Sequence, residues 1–176
     1  MNIFILNTGR CGSTTFIKAC EHINNYTCAH ESLLTEIGAK RFNYPQDHIE
    51  ADNRLSWLLG RLDDAYADNA FYVHLTRNQE DTASSFSKRI DFGILKAYEQ
   101  GILLHEQHIS PAIDIANDYI ETVDNNIRLF LKDKSNKMDI SIETIQSDFT
   151  NFWNKIGAEG DLDKALDEWH TNYNAS

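Results

Sequence analysis

The sequence predicts a three-layer α/β/α fold built on a short parallel sheet. Short apolar or β-branched runs recur along the chain, and long stretches with a three-four apolar period separate them. That alternation is expected where helices cross over a parallel sheet. Composition agrees, since 2 prolines and 8 glycines among 176 residues are too few for a turn-dense all-β fold. The length suits a single domain over residues 1–176, because two independent cores would be cramped.

Residues 2–7, Asn2-Ile3-Phe4-Ile5-Leu6-Asn7, read as a buried first strand, too short for the apolar stretch of an export signal. Residues 26–30, 71–76 and 138–142 read as the second, third and fourth strands. Leu55, Leu58, Leu59, Leu62 and Tyr66 fall on one face of a helix expected between residues 52 and 68. Residues 81–89 form a helix that opens after Arg77-Asn78. Ile113, Ile120, Ile127 and Phe130 mark a long helix after Pro111, whose fixed φ suits a first turn. Gly157 to Gly160 is a loop, and a last helix runs from about residue 161 through 169, with Asp161 as its N-cap. No repeat, low-complexity block or domain boundary interrupts the pattern.

The charge balance is acidic: 16 Lys and Arg against 27 Asp and Glu, a net −11. This argues against non-specific nucleic-acid binding and against docking on an anionic membrane. No apolar run approaches the length of a membrane span. A 41% hydrophobic share with 24% charged residues excludes a wholly disordered chain. Cys11, Cys20 and Cys28 are an odd count without framework spacing, so they read as reduced thiols in a cytoplasmic protein.

The chemistry concentrates after the first strand, in Thr8-Gly9-Arg10-Cys11-Gly12-Ser13-Thr14-Thr15. Glycines let a backbone approach an anion closely. The uncapped amides of a helix start favour negative charge. Ser13, Thr14 and Thr15 add hydroxyl donors and Arg10 a full positive charge, which suits a phosphate or sulfate. The alternative is ordinary turn glycines and helix caps, and the arginine with three hydroxyls in one loop favours the anion over it. The ATP-type loop is absent: Gly9 and Gly12 are too close and no lysine precedes Ser13. The dinucleotide Gly-x-Gly-x-x-Gly is also missing. A tyrosine-phosphatase loop needs arginine six places after its cysteine, where this chain has Ile17.

The loop resembles the 5′-phosphosulfate loop of sulfotransferases, in which a strand leads into Lys or Arg, a small residue, Gly, then Ser/Thr-Thr. Here these are Arg10, Cys11, Gly12, Ser13 and Thr14. A second turn extends the resemblance: Arg77 ends the third strand and Ser85 follows eight residues later, about two turns into a helix. In sulfotransferases an Arg-Asp/Asn-Pro run and that serine hold the 3′-phosphate of 3′-phosphoadenosine 5′-phosphosulfate (PAPS). Arg77, Asn78 and Ser85 match, while Gln79 stands in place of the proline. Lys88 and Arg89 lie on the same helical face as Ser85 and are candidates to extend the 3′-phosphate site. The segments 138–144 and 149–169 resemble the closing elements of bacterial members.

The resemblance implies a P-loop-type nucleotide fold and sulfuryl transfer from PAPS to a hydroxyl acceptor, on a carbohydrate or small metabolite. The product would be 3′-phosphoadenosine 5′-phosphate (PAP), and no metal is required. Sulfuryl transfer is kin to phosphoryl transfer, so positioning and charge stabilisation carry it. Arg10 serves the bridging oxygen. A base is needed for the acceptor, and the second strand ends in His30-Glu31-Ser32, where several bacterial members have His-Glu-Pro. Glu31 is the first candidate and His30 the second. Because strand side chains alternate faces, only one of them is expected in the pocket. His74 reads as a core histidine, His22 and His48 as surface, and Trp57, Trp153 and Trp169 as core rather than an adenine shelf. His105-Glu106-Gln107-His108 has the wrong spacing for a zinc His-Glu-x-x-His. Two rivals stay open: a P-loop kinase-like phosphotransferase, and a nucleotide-binding module without turnover.

Overall fold

The computed structural model describes residues 1–105, 109–171 and 173. Five strands form one parallel sheet: β1 (Ile3–Leu6), β2 (Thr27–His30), β3 (His48–Ala51), β4 (Phe71–Thr76) and β5 (Lys137–Ser141). Their order is β2-β3-β1-β4-β5. Ile3 of β1 pairs with Ile49 on one side and Phe71 on the other, so β1 is central. The chain builds leftward from β1 through β2 and β3, then crosses to β4. The loops after β1 and β4 therefore flank the switch point, where open parallel sheets bind ligands.

The alternation of β1 divides the apolar side chains between two layers. Ile3 and Ile5 join a core with α1 (Ser13–Cys20), α6 (Ile145–Ile156) and α7 (Leu162–Asp167), through Phe16, Phe149, Phe152 and Trp153. Phe4 and Leu6 join the opposite core, with α2 (Leu59–Tyr66), α3 (Gln79–Ser87), α4 (Gly93–Gly101) and α5 (Ala112–Leu131), through Leu62, Phe86, Tyr98 and Tyr119. The three-layer α/β/α arrangement is the predicted one. No helix among the described residues is long and apolar enough to cross a membrane.

Several elements differ from the sequence reading. Strand β3 was not expected, because His48 and Glu50 interrupt its apolar pattern. Both are nonetheless buried, His48 at 5% and Glu50 at 0% exposure, which also corrects the surface reading of His48. The partners explain it: His48 Nε2 lies 3.0 Å from Glu50 Oε2, and Thr27 Oγ1 lies 2.8 Å from His48 Nδ1. The single helix expected between 52 and 68 is two pieces, a 3-10 turn at Asn53–Trp57 and α2, with Leu58 at φ −119° between them. Asp52 caps the first piece by accepting from Arg54 N at 2.8 Å. Helix α4 was missed. Pro111 sits just before α5 rather than inside its first turn. Asp161 caps α7 as expected, accepting from Lys164 N at 3.1 Å. His74 is buried with Nε2 3.1 Å from Asp124 Oδ1, and the three tryptophans pack on the two cores. Glu106 to His108 and Asn174 to Ser176 lie outside the described residues.

Candidate active site

The loop after β1 is held from below before it reaches Arg10. Asn7 Oδ1 accepts from Gly9 N at 2.8 Å, Ser56 Oγ donates to Asn7 O at 3.0 Å, and Tyr119 OH donates to Thr8 O at 2.7 Å. Gly9, Arg10 and Gly12 all take positive φ, at 90°, 59° and 83°. Gly9 meets a second demand, since a Cβ there would lie 2.6 Å from Asn53 Nδ2. Gly12 is the N-cap of α1 and offers no side chain, so the first-turn amides keep no side-chain cap. Amides at such a helix start favour negative charge.

Three guanidinium groups gather on this loop. Arg10 Nε donates to Ser85 Oγ at 2.9 Å, which ties the first loop to α3. Arg77 Nη1 reaches Arg10 O at 3.5 Å, so its head faces the Gly12 turn. Burial, then the charges of Arg89 and Arg77, hold Arg10 below the ordinary arginine value. Arg89 Nε is buried with no hydrogen-bond partner among the described residues. Like charges massed around an orphaned donor are what a multiply charged anion would relieve. Arg77 also lies 3.7 Å from Asp81, an exposed pair that anion binding would compete with.

A hollow of about 220 Å³ opens here, lined by Gly9, Arg10, Ser13, Thr14, His30 and Glu31, and also by Arg54, Arg89, Phe86 and Phe92. His30 and Glu31 both line it, which corrects the expectation that strand alternation admits only one. Glu31 has left the strand conformation, at φ 54°, and this turns its side chain back toward the hollow. His30 Nε2 lies 3.1 Å from Ser13 Oγ, while Arg54 Nη1 donates to Glu31 Oε1 at 3.0 Å. Thr15, Arg77, Ser85 and Lys88 are not among the lining residues. Cys11 turns its side chain into the core, 1% exposed, and burial pushes its thiol up to about 12. A part for Cys11 in the loop is therefore backbone only, and it is no nucleophile.

The Gln79 departure has a local remedy. Proline is favoured at a first helical position, and Gln79 opens α3 without it. Asn78 caps the helix instead, its side chain accepting from Asp81 N at 3.1 Å, and Asn78 N donates to Glu143 Oε1 at 2.7 Å. Among the described residues, no group of three or more His, Cys, Asp or Glu is placed to hold a metal ion. Arg54 and Asn53 escaped the sequence reading, since they follow Asp52 in what looked like the start of an ordinary amphipathic helix.

The fold so assembled is that of sulfotransferases. A sulfotransferase domain from the curacin biosynthetic pathway superposes with a TM-score of 0.62 at 13% identity, over 97% of this chain and 78% of that one. The mouse sulfotransferase SULT7A1, solved in complex with PAP, superposes at 0.58 and 13% identity, over 96% of this chain and 63% of that one. No family model and no curated protein matches the sequence.

Proposed function

We propose that this chain is a sulfotransferase that moves the sulfuryl group of PAPS to a hydroxyl acceptor. One observation carries the reading: Arg10 and Arg77, from two separate strand-to-helix turns, meet Ser85 of α3 and Arg89 just beyond that helix at the loop that leads into α1. A mononucleotide with phosphates at both ends of its ribose needs two such grips. The fold likeness and the PAP complex of the mouse neighbour support the choice of nucleotide.

In the proposed reaction, Arg10, Ser13, Thr14 and the α1 amides bind the 5′-phosphosulfate. Arg77, Ser85 and Arg89 bind the 3′-phosphate, and the exposed Phe92 offers a ring face to the base. The acceptor hydroxyl attacks sulfur, and its proton passes to Glu31 or, in second place, His30. As the new O–S bond forms, the bond from sulfur to the bridging oxygen breaks. The electron pair stays on the 5′-phosphate of departing PAP, where Arg10 and the helix amides stabilise it. The chain supplies position and charge, and the acidic surface is screened beyond roughly 8 Å.

The test has two arms. Melting with PAP, ADP or magnesium-ATP should favour PAP, with a stabilisation of about 2.7 kcal/mol at a hundredfold excess over Kd. Sulfate transfer from radiolabelled PAPS to a panel of phenols, alkanols and monosaccharides should occur with wild type. Glu31→Gln should abolish it while leaving PAP binding nearly unchanged. A preference for magnesium-ATP would overturn the reading in favour of a kinase. PAP binding without transfer across the panel would point to a binding module.

A further inference from the structure

We infer that Glu50, buried in β3, is a positioning residue that holds the candidate base Glu31 in place through a clamp on Ser32. The inference rests on the sulfotransferase reading above. Glu50 is 0% exposed. Its two carboxylate oxygens take separate bonds from one residue: Ser32 N donates to Oε1 at 2.7 Å and Ser32 Oγ to Oε2 at 2.7 Å. Hydrogen bonds to a buried carboxylate are among the strongest in proteins. The carboxylate is backed by His48 at 3.0 Å, and His48 by Thr27 at 2.8 Å.

The clamp acts on the residue next to a strained one. Glu31 sits at φ 54°, a conformation that costs a non-glycine residue free energy and persists only where its surroundings impose it. Its neighbours impose it from β3. Glu31 N donates to Ala51 O at 3.0 Å, Ser32 is gripped by Glu50, and the Glu31 carboxylate meets Arg54. Arg54 is in turn placed by Asp52 through its backbone amide. Three consecutive residues, Glu50 and Ala51 of β3 and Asp52 just after it, thus fix the backbone on both sides of Glu31 and the partner of its side chain.

This also accounts for Ser32. Proline would stiffen the turn through its ring but has no N–H and no hydroxyl. Serine restores the stiffness through two bonds to Glu50, so the two residues form a matched pair.

The experiment compares wild type with Glu50→Gln, Ser32→Ala, Ser32→Thr and the double variant Glu50→Gln/Ser32→Ala. Ser32 is exposed, so its variants keep the fold intact if Glu50→Gln does not. Sulfate transfer is read on the best acceptor of the panel, PAP affinity by calorimetry, and the Ser32 amide proton by NMR. Ser32→Ala and Glu50→Gln should each lower kcat by about 10- to 100-fold, the loss expected for a misplaced base. PAP affinity should stay within about twofold, Ser32→Thr should recover most of the rate, and the two losses should not add. The Ser32 amide should lie far downfield in wild type and move upfield in Glu50→Gln. Wild-type kcat in Ser32→Ala and Glu50→Gln, or a loss explained by weakened PAP binding, would overturn the positioning role alone. Wild type without transfer would overturn the sulfotransferase reading and this role together.

Discussion

Arg10 is the residue on which the proposed site turns. It bonds Ser85, lends its carbonyl to Arg77 and sits against the charge of Arg89. Arg10→Ala should weaken PAP binding about 10- to 100-fold by calorimetry, the range for a lost charge-assisted contact. Arg10→Lys should recover only part, because an ammonium has no Nε to hold Ser85 while reaching the anion. Gly9→Ala should lower stability by about 1–2 kcal/mol in urea melts, since φ 90° and the 2.6 Å approach of Asn53 both oppose a Cβ. The gathering of Arg10, Arg77 and Ser85 was legible in the sequence because local spacing after a strand end sets where such residues fall. Arg54 and Glu50 were not, because each acts on a residue about twenty positions away in sequence and only the β2–β3 pairing brings them together.

At the scale of elements, the sequence announced those whose apolar pattern was clean. β1 and β4 are buried on both faces as near-continuous apolar runs, and α5 is buried along one face with its helical period kept. β3 broke the pattern with His48 and Glu50, whose burial is made tolerable by partners that no local window contains. The closing elements α6 and α7 dock through apolar packing and one narrow crossing. Phe149 meets Phe16 at 5.3 Å and Trp169 at 6.1 Å between ring centroids. Gly160 bridges to Ile23, and a Cβ there would lie 2.0 Å from His22 O. Gly160→Ala should therefore cost about 2 kcal/mol or more in denaturant melts, with the α6–α7 region losing amide protection first. Phe149→Ala should cost about 3–5 kcal/mol through its cavity. A Gly160→Ala protein with wild-type stability would contradict the docking described.

For the molecule as a whole, buried acids set an alkaline limit. Burial pushes Cys11 up to about 12 and Cys28 up to about 11, and holds Cys20 well above its ordinary value. A group whose pKa is raised by folding binds more protons in the native state, so its stabilisation is full below the unfolded pKa and declines above it. The melting temperature should hold up to about pH 8.5 and then fall steadily toward pH 11. Cys28→Ser should flatten that decline, and a flat profile from pH 8 to 11 would contradict the thiol assignment. The largest claim at this scale is that two turns on either side of the sheet's switch point grip one nucleotide by both phosphates. The most direct test is calorimetric titration of PAP against AMP, which differ only in the 3′-phosphate. PAP should bind about 100-fold more tightly, and Arg77→Ala should remove most of that margin. Equal affinity for PAP and AMP, or a margin that survives Arg77→Ala, would contradict the account.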